Sequence, residues 1–454
     1  MATNKEVFRT YWDEKFQSYI TLITDLGEKV REAEMPAGPR AALLDLITKL
    51  KDFAEDQFNL FLDGFVEELL EQSTQEPKEY VLQKILEQIG NDLTVMEQIA
   101  DDWAHSTIRS QPLKQGTVFA ENALALAFNN GLLTEAVKPF IYLHKTPVIR
   151  VIPYANAALI GIPYTAVNKN NQRNGINLRG LLAIPHEIGH YVYWNGIYIT
   201  NQETGESEQI RTYLENKLYE IGLSEYAHWL EEIFADVYSA FVGGTVTTHS
   251  IQEILLDNRP ILFDLDDGSH PPSVIRPYVY AYALAGDEEK GKEIISDWEQ
   301  TLSKRGIAKS FKRALIILDS NNRIQSLTFE KIDFGDKAIL DGRKIIQALV
   351  KMIAEIFENK NLEKRWGKNK LGREAYDEVS AKIDDELNIG KFKGNVKHWE
   401  IEIPKAHEDF EQERKDMRQS INDRKTISRE NWRKVYLAAG WTSGGEEDGY
   451  HTIE

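Results

Sequence analysis

Six residues near the middle of the chain, Pro185-His186-Glu187-Ile188-Gly189-His190, have the types and spacing of a metal-dependent hydrolytic centre. Two histidines four apart on a helix lie on one face, about 40° apart around its axis, so both imidazoles reach one ion. Glu187 cannot share that direction. It falls beside the ion, where it can take a proton from a water the ion activates. The bland alternative is a helix whose histidines satisfy polar neighbours. With ten His in the chain, chance gives this spacing in only roughly a few per cent of comparable sequences.

A catalytic metal site of this kind wants three protein ligands and one open position. Downstream stands Trp229-Leu-Glu-Glu-Ile-Phe-Ala-Asp236, with helical periodicity. Glu232 and Asp236 are again four apart and share a face, so Glu232 can be the third ligand. Asp236 can then accept from the far nitrogen of a ligating histidine, which fixes its tautomer and raises its basicity. A solvated acidic stripe is the competing reading, but Ile233, Phe234, Ala235, Val237 and Tyr238 make the segment apolar, and buried carboxylates without a cation are expensive. Glu231 and His228 are rival third ligands, although neither has a carboxylate partner four residues on.

A further element is Ser269-His270-Pro-Pro-Ser-Val-Ile-Arg276. His270 or Arg276 can donate to the oxyanion formed when water attacks a carbonyl, with Asp266 and Asp267 available to hold either side chain. Taken alone, the same string is a turn before a helix, with Ser269 as a cap and prolines at the first positions.

The elements that must carry these groups change character along the chain. Residues 5 to 110 read as long amphipathic helices, with Leu43, Leu46, Ile47, Leu50, Phe53, Phe58, Phe61 and Phe65 at three- and four-residue spacing. Breaks fall at Pro36 and at Gln75 to Pro77. Near Pro139 short β-branched runs take over: Pro147 to Pro153 and Ala157 to Tyr164 read as two strands. A polar loop from Asn168 to Asn177 precedes the helix with His186, and more helices run from about Ser207 to Val242. Past residue 300 come a strand-like stretch from Arg323 to Phe334, a helix around Lys344 to Phe357, and charged helical segments to Leu437. The tail after Gly440 is Gly-rich and acidic and reads as mobile.

Composition bounds the chemistry. The chain has 454 residues, too long for one core, and a formal net charge of −18, which argues against a general nucleic-acid binder. There is no cysteine, so a metal must use His and carboxylates. The N-terminus lacks the apolar core of a signal peptide, and no stretch approaches the ~20 apolar residues of a membrane span, so a cytoplasmic location without membrane spans is expected. No signal of oligomeric state is visible.

The order and form of these pieces resemble the gluzincin peptidases, most closely the CAAX prenyl protease and HtpX-type family. That family has an Asn-Ala edge strand, then HExxH, then ExxAD, then HPxxxxR. Here the matching strings are Asn156-Ala157, His186 to His190, Glu232 to Asp236 and His270 to Arg276. The resemblance covers about residues 150 to 280. It implies one Zn²⁺ held by His186, His190 and Glu232, with Glu187 as general base and Asp236 behind the ligands. It further implies that His270 and Arg276 stabilise the transition state or hold the metal-site carboxylates. Asn156 and Ala157 would begin the strand that pairs with an extended protein or peptide substrate. The family's membrane spans are missing, so a prenylated membrane substrate is not implied.

The expected architecture is therefore α+β and mainly helical: a zincin-like core with a small β-sheet and an active-site helix, flanked by helical regions. The expected divisions are a helical domain at 1–112, a metallopeptidase domain at 113–300, a mostly helical domain at 301–439 and a tail at 440–454. Two other classes fit the same residues: a metal-binding regulatory or partner module, and a zinc hydrolase of a non-peptide amide or ester. An intact Glu187 speaks against the first. A closed pocket in place of an open groove beside the Asn156 strand would favour the second.

Overall fold

The helical spacing of the first hundred residues produces three long helices: α1 (Asn4–Glu32), α2 (Ala37–Val66) and α3 (Lys78–Ala104). Thr3 and Glu6 form a reciprocal capping box at the start of α1, which satisfies two orphan N–H groups. Pro36 breaks the chain before α2, where its missing N–H costs nothing. The computed structural model describes residues 3–74, 76–104, 107–167, 178–201, 205–256, 263–266, 268, 270–284, 288–318, 324–333, 342–358, 408–438 and 450–452. The expected loop from Asn168 to Asn177 lies outside them, as do Asp267 and Ser269. The described parts are mainly helical with small sheets. No described helix is long and apolar enough to cross a membrane.

Contacts divide the chain into two units, each assembled from separated stretches. One comprises 1–117, 135–169 and 392–452; the other comprises 118–134, 170–391 and 453–454. The boundaries expected at 112 and 300 are not those of these units. Strands expected beside the metal-site helices group with the N-terminal helices instead, and α4 (Thr107–Asn129) crosses the division.

In the first unit, α1 to α3 pack through residues such as Phe16 and Phe58, whose rings stack at 4.2 Å. From far along the chain, α12 (Glu408–Asn422) and α13 (Arg429–Ala438) join them. Trp432 meets Phe61 and Phe65 edge-on. Arg414 and Arg418 both bond to Asp56. The sheet of this unit has the order β1 (Lys138–His144), β3 (Ala157–Pro163), β2 (Val148–Val151), β8 (Tyr450–Thr452). β1 runs parallel to β3, and the other pairs are antiparallel.

That order corrects two expectations. Asn156 and Ala157 do not begin an edge strand. β3 lies between β1 and β2, and its near-continuous apolar run is buried on both faces, as an inner strand requires. The Asn156 carbonyl accepts the Lys138 N–H at 2.9 Å, and its side-chain amide donates to Glu135. The tail is not mobile throughout, because Tyr450–Thr452 forms β8 against β2. The outer edge of β1 is closed by side chains of α3: the Leu143 N–H donates to Asp102 at 2.6 Å, and Trp103 donates to the Ile141 carbonyl at 3.2 Å.

The second unit holds α5 (Ile184–Asn195), α6 (Ile210–Glu220), α7 (Leu230–Gly243), α8 (Thr245–Leu256), α9 (Arg276–Ala283), α10 (Glu288–Lys304) and α11 (Gly342–Glu358). Two hairpins accompany them, β4 (Ile197–Asn201) with β5 (Glu206–Gln209), and β6 (Ser310–Leu318) with β7 (Ile324–Asp333). Tyr238 of α7 donates to the Ala123 carbonyl of α4 at 2.7 Å. Glu299 of α10 gathers Tyr278 of α9, Lys309 and Arg343 of α11 at 2.5 to 2.9 Å, which locks the helices behind the site.

Candidate metal centre

Pro185 lies in the first turn of α5, which begins at Ile184, so its ring interrupts no helical bond. The helix then carries His186, Glu187 and His190, which are 1%, 0% and 1% exposed. α7 brings Glu232, 4% exposed, and Asp236, fully buried. Gly189 lets the two helices meet: a Cβ there would lie 2.6 Å from the Ala235 Cα.

The ligating faces converge. The Nε2 atoms of His186 and His190 are 3.1 Å apart, and the Glu232 carboxylate lies 3.4 Å from the first and 3.5 Å from the second. Tetrahedral bonds of ~2.0–2.1 Å put neighbouring ligand atoms about 3.3 Å apart, so these three groups fit an ion of that kind. Among the described residues, this is the one group of three such side chains whose ligand atoms approach one another so closely. Two imidazoles and a carboxylate, with no thiolate, suit a borderline divalent cation.

Both imidazoles are held from behind. His186 Nδ1 lies 2.9 Å from Asp236, and His190 Nδ1 lies 2.9 Å from Glu231. A carboxylate at Nδ1 keeps the proton there and turns the Nε2 lone pair towards the ion. Trp194, one turn beyond His190 on α5, donates to the same Glu231 oxygen at 2.7 Å. Glu231 therefore backs the His190 ring, and it is Glu232 that approaches both Nε2 atoms. The role of Glu231 was accessible from the sequence through the His190 and Trp194 spacing, but only if α5 and α7 were known to pack together.

Arg276 sits at the start of α9, 3% exposed. It grips Asp236 with two bonds of 2.9 and 2.7 Å and lies 3.2 Å from Glu232. Of its two expected roles, this geometry supports holding the metal-site carboxylates. Tyr280, one turn on, lies near Asp236. His270 stands 3.6 Å from Glu232 and keeps 32% of its side chain exposed. Asp266 meets His228 at 3.0 Å and accepts the Gly268 N–H at 2.9 Å. Asn156 and Ala157 belong to the other unit.

Buried groups of both charge signs meet in this cluster. Burial opposes charge on His186, yet bonds to Asp236 and Glu232 hold its pKa up to about 9. Burial pushes His190 down. Burial also opposes the charge on Glu232, but His190, His186 and Arg276 hold its carboxyl well below the usual range. A proton on His186 thus occupies the place that a metal's charge would take. Glu187 differs. Burial pushes it up to about 8, and neither carboxylate oxygen has a hydrogen-bond partner among the described residues.

Comparison with known proteins supplies no relative to set beside this geometry. No family profile, curated protein or solved structure matches the chain.

Proposed function

We propose that this chain is a zinc-dependent peptidase, a soluble and divergent relative of the gluzincins with a zincin-like core. The observation that carries the reading is one juxtaposition. Three buried ligands converge from α5 and α7 beside Glu187, whose buried carboxylate has no bonding partner among the described residues. A purely structural site has no use for such a group. Zinc held by His186, His190 and Glu232 would lower the pKa of a water towards ~7 and polarise the scissile carbonyl.

The side chains supply the rest. Glu187 takes the proton of the attacking water on a carboxylate oxygen and delivers it to the departing amine nitrogen. Its raised pKa suits both halves of that exchange. Asp236 and Glu231 keep the imidazoles in register, and Arg276 neutralises the carboxylates behind them. His270, the more exposed group, would donate to the developing oxyanion. The test is Glu187→Gln, which should retain zinc and lose hydrolysis of a general substrate such as casein. Undiminished turnover in that variant would overturn the mechanism.

A second reading has its own observation. The four central side chains are at most 4% exposed, and a small cavity borders His186 between Ala183, Thr247, Ser250, Ile251 and Tyr280. A closed site of this kind suits a zinc hydrolase of a small amide or ester. Cleavage of p-nitrophenyl acetate but not casein, lost in Glu187→Gln, would favour it.

A further inference from the structure

Outside the metal cluster lies a second contact between a histidine and a buried carboxylate. His228 Nε2 donates to Asp266 at 3.0 Å; the Asp266 side chain is fully buried and that of His228 is 23% exposed. The other Asp266 oxygen accepts the Gly268 N–H at 2.9 Å. Gly268 has φ 91°, a left-handed conformation open to glycine. Asp266 thereby holds the Gly268 amide, two residues before His270.

The two partners belong to different elements. His228 lies in a short helical turn, Ser224–Trp229, that leads into α7, four residues before Glu232. Asp266 begins the return of the chain to His270 and α9. Both segments also rest on β6. The Asp266 N–H donates to the Lys312 carbonyl at 3.1 Å, and the Lys312 N–H donates to the Asp264 carbonyl at 2.6 Å. On the other side, Trp229 meets Phe311 edge-on at 5.5 Å, while Arg313 pairs with Glu225 at 3.1 Å and lies over the Tyr226 ring. β6 brackets both segments, and the His228–Asp266 bond closes the bracket.

We infer that His228 is a positioning residue: its bond to Asp266 ties the start of the Glu232 helix to Asp266 and Gly268, just ahead of His270. The His270 ring is one-third exposed and follows Gly268 by two residues, so its distance from Glu232 responds to how firmly Asp266 and Gly268 are held. For catalysis this rests on the peptidase reading, because a displaced donor costs rate only where there is a reaction to assist. The tether itself is independent of that reading.

The deciding measurement is amide hydrogen exchange on the full-length, zinc-loaded chain. His228→Ala should speed exchange at Asp266 and Gly268 by about tenfold or more, while the α5 amides and the zinc stoichiometry stay as in the wild type. His228→Gln, whose side-chain amide can still donate to Asp266, should restore protection. Wild-type exchange in His228→Ala overturns the tether, and so does equal loosening of α5. With casein, His228→Ala should lose roughly 10- to 100-fold in kcat with KM unchanged, and His228→Gln should recover it. Faster exchange with an unchanged kcat would overturn the positioning role. If zinc-loaded wild type leaves casein intact, the peptidase reading falls, and exchange still decides the tether.

Discussion

Gly189 of α5 lies against Ala235 of α7 so closely that a methyl group at position 189 would sit 2.6 Å from the Ala235 Cα and 3.1 Å from its carbonyl oxygen. No rotamer relieves that clash, because the obstacle is backbone. This close approach lets Glu232, one turn before Ala235, reach both imidazoles. Gly189→Ala should therefore separate the helices, at a cost of roughly 1–3 kcal/mol for overpacking. Zinc affinity should fall in step, by roughly 10- to 100-fold, the range seen when metal ligands lose their support. Thermal denaturation and competition against a chelator read the two effects. Wild-type values in both would sink the close-approach account.

The convergence of His186, His190 and Glu232 predicts about one zinc per chain by elemental analysis, with sharp loss in Glu232→Ala. A metal that binds only the folded chain stabilises it, by about 4 kcal/mol at a thousandfold excess over its Kd. EDTA should accordingly lower the melting temperature of the wild type and leave that of Glu232→Ala nearly unchanged. A wild type that takes up no zinc after reconstitution, and melts alike with and without EDTA, would remove the metal centre.

Asp236 is shared by the His186 ring and the Arg276 guanidinium, all three side chains being buried. Truncating one partner of such a pair leaves the other charge uncompensated, at a cost of roughly 3–5 kcal/mol. Asp236→Ala should be destabilised by about that much in urea, whereas Asp236→Ala with Arg276→Met should lose less than the sum of the two single changes. The expected coupling is roughly 0.5–3 kcal/mol. Strict additivity would mean that the pair does not interact as the geometry indicates.

The sequence carried the site further than it carried the fold. His186 to His190 and Glu232 to Asp236 were legible because each is a local pattern, two groups four apart on one helix face. Arg276 was legible as a member of the site but not as the partner of Asp236, since a separation of forty positions hides which carboxylate it meets. The inner position of β3 was hidden for a related reason. Its apolar run reports burial on both faces but not which strands flank it, and the β1 partner is parallel, with no hairpin turn to announce the pairing. Trp432 on Phe61 and Phe65 shows why the discontinuous first unit left no trace: the two sides of that contact are separated by most of the chain.

The closed edge of β1 gives a prediction about the other unit. Asp102 accepts the Leu143 N–H at 2.6 Å and Trp103 donates to the Ile141 carbonyl, so that N–H and that carbonyl are satisfied by α3 and not by another strand. Removing the acceptor leaves a buried N–H unpaired, which costs about 1–3 kcal/mol. It also reopens a backbone edge of the kind that templates pairing between molecules. Asp102→Ala should therefore lower the urea midpoint and scatter light increasingly with protein concentration. Asp102→Asn keeps a carbonyl that can accept the same bond and should fall between Asp102→Ala and the wild type. Asp102→Ala and Asp102→Asn losing the same stability would point to the charge of Asp102, which also meets Arg109 at 3.1 Å, and away from its cover of the strand edge.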